Sequence, residues 1–362
     1  MLNIEKQSFW EILAQSGKPA VLYGAGDGAD KILDFCASRD INIAGIFASV
    51  VRGAKYFRGF KIKSFAEIQD IYGENFCILL SFAANIDSVI KNIYDLHDKY
   101  ELYAPNFPVF GEQTYFDYDY YAKNREEIER AHDLLADDES KSVYENAINF
   151  NITGRLDYLA AMDSCKRNAL DLLELGGGAH YIDLGAYNGD TVFEMLDYAN
   201  RRGQGRIAKI AAFEPDMKNF AKLQKNITEA GLADICDLYR LGAWSEAGVQ
   251  YFNAQSSRNS NFDAAGTLSV SVDSLDNILY PKISGELLIK YDIEGSEFEA
   301  LTGSRRIIQE YSPKLIVSLY HKTGDIFKLP LYIRSMNPRY KFYLRKHKYI
   351  PCWDLNLYAA VT

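Results

Sequence analysis

Tyr181-Ile-Asp-Leu-Gly-Ala-Tyr-Asn-Gly-Asp-Thr191 is an apolar strand that reaches a carboxylate at Asp183, passes two glycines four residues apart, and opens a helix at Asp190. Gly185 and Gly189 allow a tight turn without side-chain clash, so the backbone passes close to whatever lies at the helix N-terminus. Outward from this turn the chain alternates strand and helix almost to its end. Strands are expected at Tyr181–Leu184, Ile207–Phe213, Cys236–Leu241, Gly285–Asp292, Pro313–Tyr320, Tyr340–Arg345 and Asp354–Val361. The last two are joined by Lys346–Trp353, too short for the crossover helix that a parallel pair requires, so they should form an antiparallel hairpin.

A pyrophosphate would want G-x-G-x-x-G spacing and free amide donors. The spacing here, with a carboxylate at the strand end, instead suits the cationic amino-acid portion of a sulfonium ligand, which makes Asp183 the first expected contact. The following strands deliver further groups to the same carboxyl edge. Phe213-Glu-Pro-Asp216 places Glu214 where a doubly wound fold brings it beside a ribose, and lets Asp216 cap the next helix. Leu241-Gly-Ala-Trp-Ser-Glu246 offers Ala243 and Trp244 as flanks for an adenine ring.

Leu287-Leu-Ile-Lys-Tyr-Asp-Ile-Glu-Gly-Ser-Glu-Phe-Glu-Ala-Leu301 runs from apolar strand into three clustered carboxylates, Asp292, Glu294 and Glu297. Left unpaired they would repel one another, so a cation, a proton or a hydroxyl-bearing substrate is expected beside them. Ile316-Val-Ser-Leu-Tyr-His321 then brings Tyr320 and His321 to the same edge, and histidine titrates near neutrality.

Asp183–Thr191, Phe213-Glu-Pro, Leu241-Gly-Ala-Trp, Asp292-Ile-Glu-Gly-Ser-Glu297 and Leu319-Tyr-His321 together resemble the FkbM family of S-adenosylmethionine-dependent methyltransferases, over roughly residues 178 to 350. The fold expected is α/β: a class I methyltransferase doubly wound seven-stranded sheet with an antiparallel C-terminal hairpin, preceded by a smaller Rossmann-like α/β domain and a helical connector. The resemblance implies O-methylation of a sugar, glycan or related natural product. It places Asp183, Gly185, Ala186, Gly189, Thr191, Glu214, Ala243 and Trp244 against the cofactor and Glu294, Glu297 and Tyr320 against the acceptor. His321 or Asp292 would take the proton. In a second version a divalent cation on Asp292 and Glu294 lowers the hydroxyl pKa instead.

The remaining sequence sets the frame. With 362 residues, two cores are expected, as domains spanning 1–110 and 176–362 with a helical connector or cap at 111–175. In the first, Gly24-Ala-Gly-Asp-Gly-Ala29 matches G-x-G-x-x-A after an apolar strand. The second strand ends Gly45-Ile-Phe-Ala-Ser-Val50, without the acidic residue of a dinucleotide site, so a nucleotide-linked or sugar ligand, or none, competes with NAD. Ala136-Asp-Asp-Glu-Ser-Lys141 reads as a solvated helix end. A net charge of −9 argues against nucleic-acid binding. No apolar run is long enough to span a bilayer, and the five scattered cysteines fit a reduced, cytoplasmic protein. Two rivals remain: a sugar-modifying enzyme dependent on NAD or a nucleotide-sugar, using the N-terminal glycine turn, and a non-catalytic scaffold of the same fold.

Overall fold

The computed structural model describes residues 2–51, 53–108, 114–202, 207–253, 261–262, 268–280 and 285–361, so the boundary expected at residue 110 lies outside the described residues. The first half forms β1 (Ala20–Tyr23), β2 (Ile43–Phe47), β3 (Tyr56–Phe57), β4 (Phe60–Lys63), β5 (Cys77–Leu80) and β6 (Glu101–Tyr103). They make one sheet in the order β3-β4-β2-β1-β5-β6, parallel except for the β3–β4 hairpin. Every residue of β1 and β5 is buried, as expected of central parallel strands covered on both faces. The strand order reverses between β1 and β5, which opens a crevice at their carboxyl ends. Strands β3, β4 and β6 are short and only partly buried, so they leave no apolar run to read in the sequence.

The second half forms β7 (His180–Leu184), β8 (Lys209–Phe213), β9 (Cys236–Tyr239), β10 (Gly242–Ala243), β11 (Gly248–Asn253), β12 (Asn261–Phe262), β13 (Leu268–Asp273), β14 (Leu287–Tyr291), β15 (Lys314–Ser318), β16 (Lys341–Lys346) and β17 (Leu355–Ala360). The seven expected strands form one sheet in the order β16-β17-β15-β14-β7-β8-β9. The closing hairpin is antiparallel, and β17 inserts between β15 and β16. Strands β10 to β13 make a separate small sheet that the sequence reading did not anticipate.

Between the two sheets lie short helices from Tyr118 to Asp171, the longest being Asp138–Thr153. They extend the edge at β16. The Ala136 amide donates to the Phe342 carbonyl and the Ser164 amide to the Lys346 carbonyl, each at 2.8 Å. Asp137 is not merely part of a solvated helix end, because it accepts from the Ser140 amide as an N-cap and pairs with the buried Arg345 at 2.7 Å. Lys346 is buried against Asp163 at 2.6 Å. One cluster of buried side chains runs from Val21 and Ile78 through Tyr144 and Phe150 to Ile289, Phe342 and Leu357.

The two halves also meet at the edge that carries the motifs. Ala84, just beyond β5, forms a two-bond antiparallel bridge with Ile350 in the loop between β16 and β17, at 2.7 and 2.9 Å. The loop read as a mere hairpin link is therefore held against the N-terminal half.

Candidate active site

Glycine at 185 is dictated twice over. Its φ is +88°, and a Cβ there would lie 2.0 Å from the Asp292 carbonyl oxygen. The turn after β7 is thus pressed against the end of β14, which brings the glycine motif and the acidic motif to one point. Tyr187, at φ +47°, donates its amide to Glu214 at 3.0 Å, and the Asp216 amide donates to the other Glu214 oxygen at 2.9 Å. Burial raises the Glu214 pKa to about 7 against the pull of those two amides.

A cavity of about 250 Å³ opens here. One wall is Gly185, Tyr187, Thr191 and Glu214 over the apolar Phe213, Leu241 and Ala243. The other is Lys290, Asp292, Glu294 and Tyr320, with Trp353 and Asp354 from the hairpin loop and Asn85 from the N-terminal half. Among the described residues seven non-glycine positions have positive φ, and three of them, Tyr187, Glu294 and Asp354, line this cavity. Such backbone costs about 1–3 kcal/mol each and collects at working sites.

Lys290, which the sequence reading passed over, organises the charges. Its ammonium lies 3.4 Å from Asp183 and 3.2 Å from Asp292. Asp292 also accepts from Ser318 and Tyr320, both at 3.0 Å. Burial alone would raise its pKa, but Lys290, His321 and these hydroxyls hold it well below the usual carboxylate range. His321 is fully buried, with Nδ1 2.9 Å from Glu297 and Nε2 3.4 Å from Glu294 and 3.6 Å from Asp292. Burial disfavours its charge, yet Glu297, Glu294 and Asp292 outweigh burial and lift its pKa to about 10. Glu294 goes the other way. Burial first, then Asp292 and Glu297, push its pKa up to about 8, although His321 opposes them.

The structure places the expected residues as follows. Gly185, Thr191, Glu214, Ala243, Asp292, Glu294 and Tyr320 line the cavity. Asp183 does not. It has no exposed surface and its charge is met by Lys290 and the Thr191 hydroxyl, so it orients two cavity residues rather than meeting a ligand. Ala186 is buried behind the turn, donating its amide to the Phe213 carbonyl, and Gly189 shapes the turn at φ +91° without lining the cavity.

Trp244 also lies outside the lining. Its amide is taken by Asp273 as β10 pairs with β13, and its carbonyl packs where a Gly303 Cβ would stand. Glu297 is 1% exposed and accepts from the Ile293 amide and His321, so it holds the loop instead of an acceptor. Asp216 is the cap of helix Met217–Glu229.

Of the two residues expected to take the proton, His321 has no exposed surface, does not line the cavity and is held protonated by three carboxylates, while Asp292 lines the cavity but is held ionised by Lys290 and His321. The acidic cluster also supplies its own counter-charges, Lys290 and the imidazolium of His321. No group of three His, Cys, Asp or Glu side chains among the described residues is placed to hold a metal ion. Lysine within a buried strand, Ile-Lys-Tyr-Asp, was the available signal for Lys290.

Residues 183–350 match the Methyltransferase FkbM domain family. No curated protein matches the chain. The fold is similar to that of Methyltransferase FkbM from Methylobacillus flagellatus KT, with 22% sequence identity, a TM-score of 0.71, and 99% of this chain and 94% of that chain covered. An rRNA methylase from Streptococcus thermophilus covers 57% of this chain and 96% of its own at 13% identity and a TM-score of 0.33. Precorrin-6y C5,15-methyltransferase from Geobacter metallireducens GS-15 covers 54% and 87%, at 13% identity and a TM-score of 0.33.

Proposed function

The C-terminal half of the chain is, over residues 183–350, an FkbM methyltransferase domain, and from that premise we propose that the protein transfers the methyl group of S-adenosylmethionine to a hydroxyl of a sugar, glycan or related natural product. The observation that supports this reading is that the glycine turn, Glu214 and Glu294 all open into one cavity. Glu214 keeps free lone pairs for vicinal hydroxyls, and Phe213, Leu241 and Ala243 offer an apolar bed for a purine.

When bound, the cofactor supplies a methyl group on a sulfonium, already a strong electrophile. The chain's own task is then to position a hydroxyl and receive its proton. Glu294 suits the second role: it lines the cavity, and its raised pKa lies near the working pH, where a general base is most effective. Tyr320, donating to Asp292, stands beside it to orient the acceptor. Lys290 and protonated His321 keep the surrounding carboxylates from repelling one another.

Calorimetry with S-adenosylhomocysteine, and transfer from methyl-labelled S-adenosylmethionine into a carbohydrate fraction, test the reading. The parent should bind and transfer, and Glu214→Ala should bind about tenfold or more weakly. Tight NAD binding with none of S-adenosylhomocysteine would sink it.

A further inference from the structure

A second and larger cavity, of about 780 Å³, lies at the crevice between β1 and β5, where an open α/β sheet characteristically receives a ligand. It adjoins the first. Trp353 lines both, and the Ala84–Ile350 bridge stands between them, with Ala83 on one cavity and Asn85 on the other. The Trp353 indole N–H is buried without a hydrogen-bond partner among the described residues, leaving a donor at this junction.

The glycines of the Gly24–Gly28 turn separate packing from vacancy. A Cβ on Gly28 would lie 2.2 Å from the Ser81 carbonyl oxygen, so that glycine is required by the approach of helix to strand. Gly26 has no such reason. Its backbone is extended, at φ −168°, and an added Cβ would meet nothing within 4 Å, so a side chain placed there has room to occupy the cavity that Gly26 lines.

The lining chemistry selects a ligand class. Asp27 and Lys31 are its charged side chains, one of each sign, and Lys31 already donates to the Pro108 carbonyl at 2.9 Å. Asp27 sits in the first turn of helix Asp27–Ala37, where its charge repels a phosphate from the helix N-terminus. Phe82, Phe107 and Trp353 add aromatic surface. Rings beside one carboxylate and one ammonium, with no net charge, suit a neutral polyhydroxylated ring better than a diphosphate.

We propose that this cavity holds a neutral glycosyl portion of the methyl acceptor, whose reacting hydroxyl reaches past Trp353 to Glu294. The assignment rests on the methyl-transfer reading above. The N-terminal sheet is then the acceptor-recognition half of the enzyme.

Gly26→Phe in the full chain would fill the cavity from a position with room for it. With methyl-labelled S-adenosylmethionine and the carbohydrate fraction of a cell extract as acceptor, its apparent KM for acceptor should rise about tenfold or more. Its affinity for S-adenosylhomocysteine should stay within about twofold of the parent. Should Gly26→Phe lose S-adenosylhomocysteine as well, Asp27→Asn decides by the same two readouts. A parent-like acceptor KM in the deciding variant overturns the assignment alone, as does NAD binding to the parent that Gly26→Phe abolishes. Transfer confined to protein or RNA fractions, or no transfer at all by the parent, overturns the acceptor reading and this assignment together.

Discussion

His321 Nε2 and Glu294 lie 3.4 Å apart; the carboxylate raises the imidazole's pKa, whereas the imidazolium opposes the rise that burial, Asp292 and Glu297 impose on Glu294. The imidazole is surrounded by Glu297, Glu294 and Asp292 and keeps its proton to about pH 10, whereas Glu294 holds its own to about pH 8. The sign of the pH dependence follows. A base acts only when unprotonated, so the rate should climb as Glu294 ionises through about pH 8, while His321 stays charged. In Glu294→Gln, kcat should fall on the order of 10²-fold or more and the climb between pH 7 and 9 should disappear, with S-adenosylhomocysteine affinity retained. A rate profile that keeps its limb in that variant would assign the proton to another group. The residue types at this site were legible as Asp292-x-Glu-Gly-x-Glu297 and Tyr320-His321, but their protonation was not. That depends on burial and on Asp292, Glu294 and Glu297 converging on His321, with Lys290 holding Asp292 ionised from a position set by the pairing of β14 with β7.

At the level of elements, the alternation of apolar runs and glycine or acidic breaks was enough to locate all seven strands of the C-terminal sheet and its hairpin. In the small sheet β10 and β12 have two residues each, too few to leave a pattern, while the alternation in β13, Leu268-Ser-Val-Ser-Val-Asp273, is a strand signal that the reading did not use. The helix Asp138–Thr153 shows a gap between local and tertiary meaning. Asp137 satisfies the Ser140 amide as a local sequence rule would have it, and the same carboxylate clamps Arg345 on β16, over two hundred residues away. Asp137→Asn retains a capping side chain and should lose only the charged pairing. Asp137→Ala loses both and leaves a buried guanidinium with less compensation, so urea unfolding should show it the less stable of the two by about 1 kcal/mol. Equal stabilities would mean that the cap contributes nothing measurable.

For the whole molecule, the continuous buried cluster makes the two sheets and the helices between them one unit of packing. A fragment starting at residue 176 would expose the face of β16 that the helices cover, along with Leu344 and Phe342, neither of which has exposed surface in the full chain. It should aggregate or lack the cooperative thermal transition of the full chain, as differential scanning calorimetry would show; a sharp transition in the fragment would mean that the C-terminal sheet is self-sufficient. By itself the sequence determined the α/β class, the closing hairpin and the family that residues 183–350 match, because strand periodicity, glycine turns and carboxylates at strand ends are local consequences of backbone geometry. Only the tertiary structure decided what the opening turn does. Asp183 faces Lys290 and Thr191 rather than a ligand, Gly185 exists to admit the end of β14, and the hairpin loop carries Trp353 between two cavities. Charge compensation and cavity walls are made by residues distant in sequence, so no reading along the chain contains them.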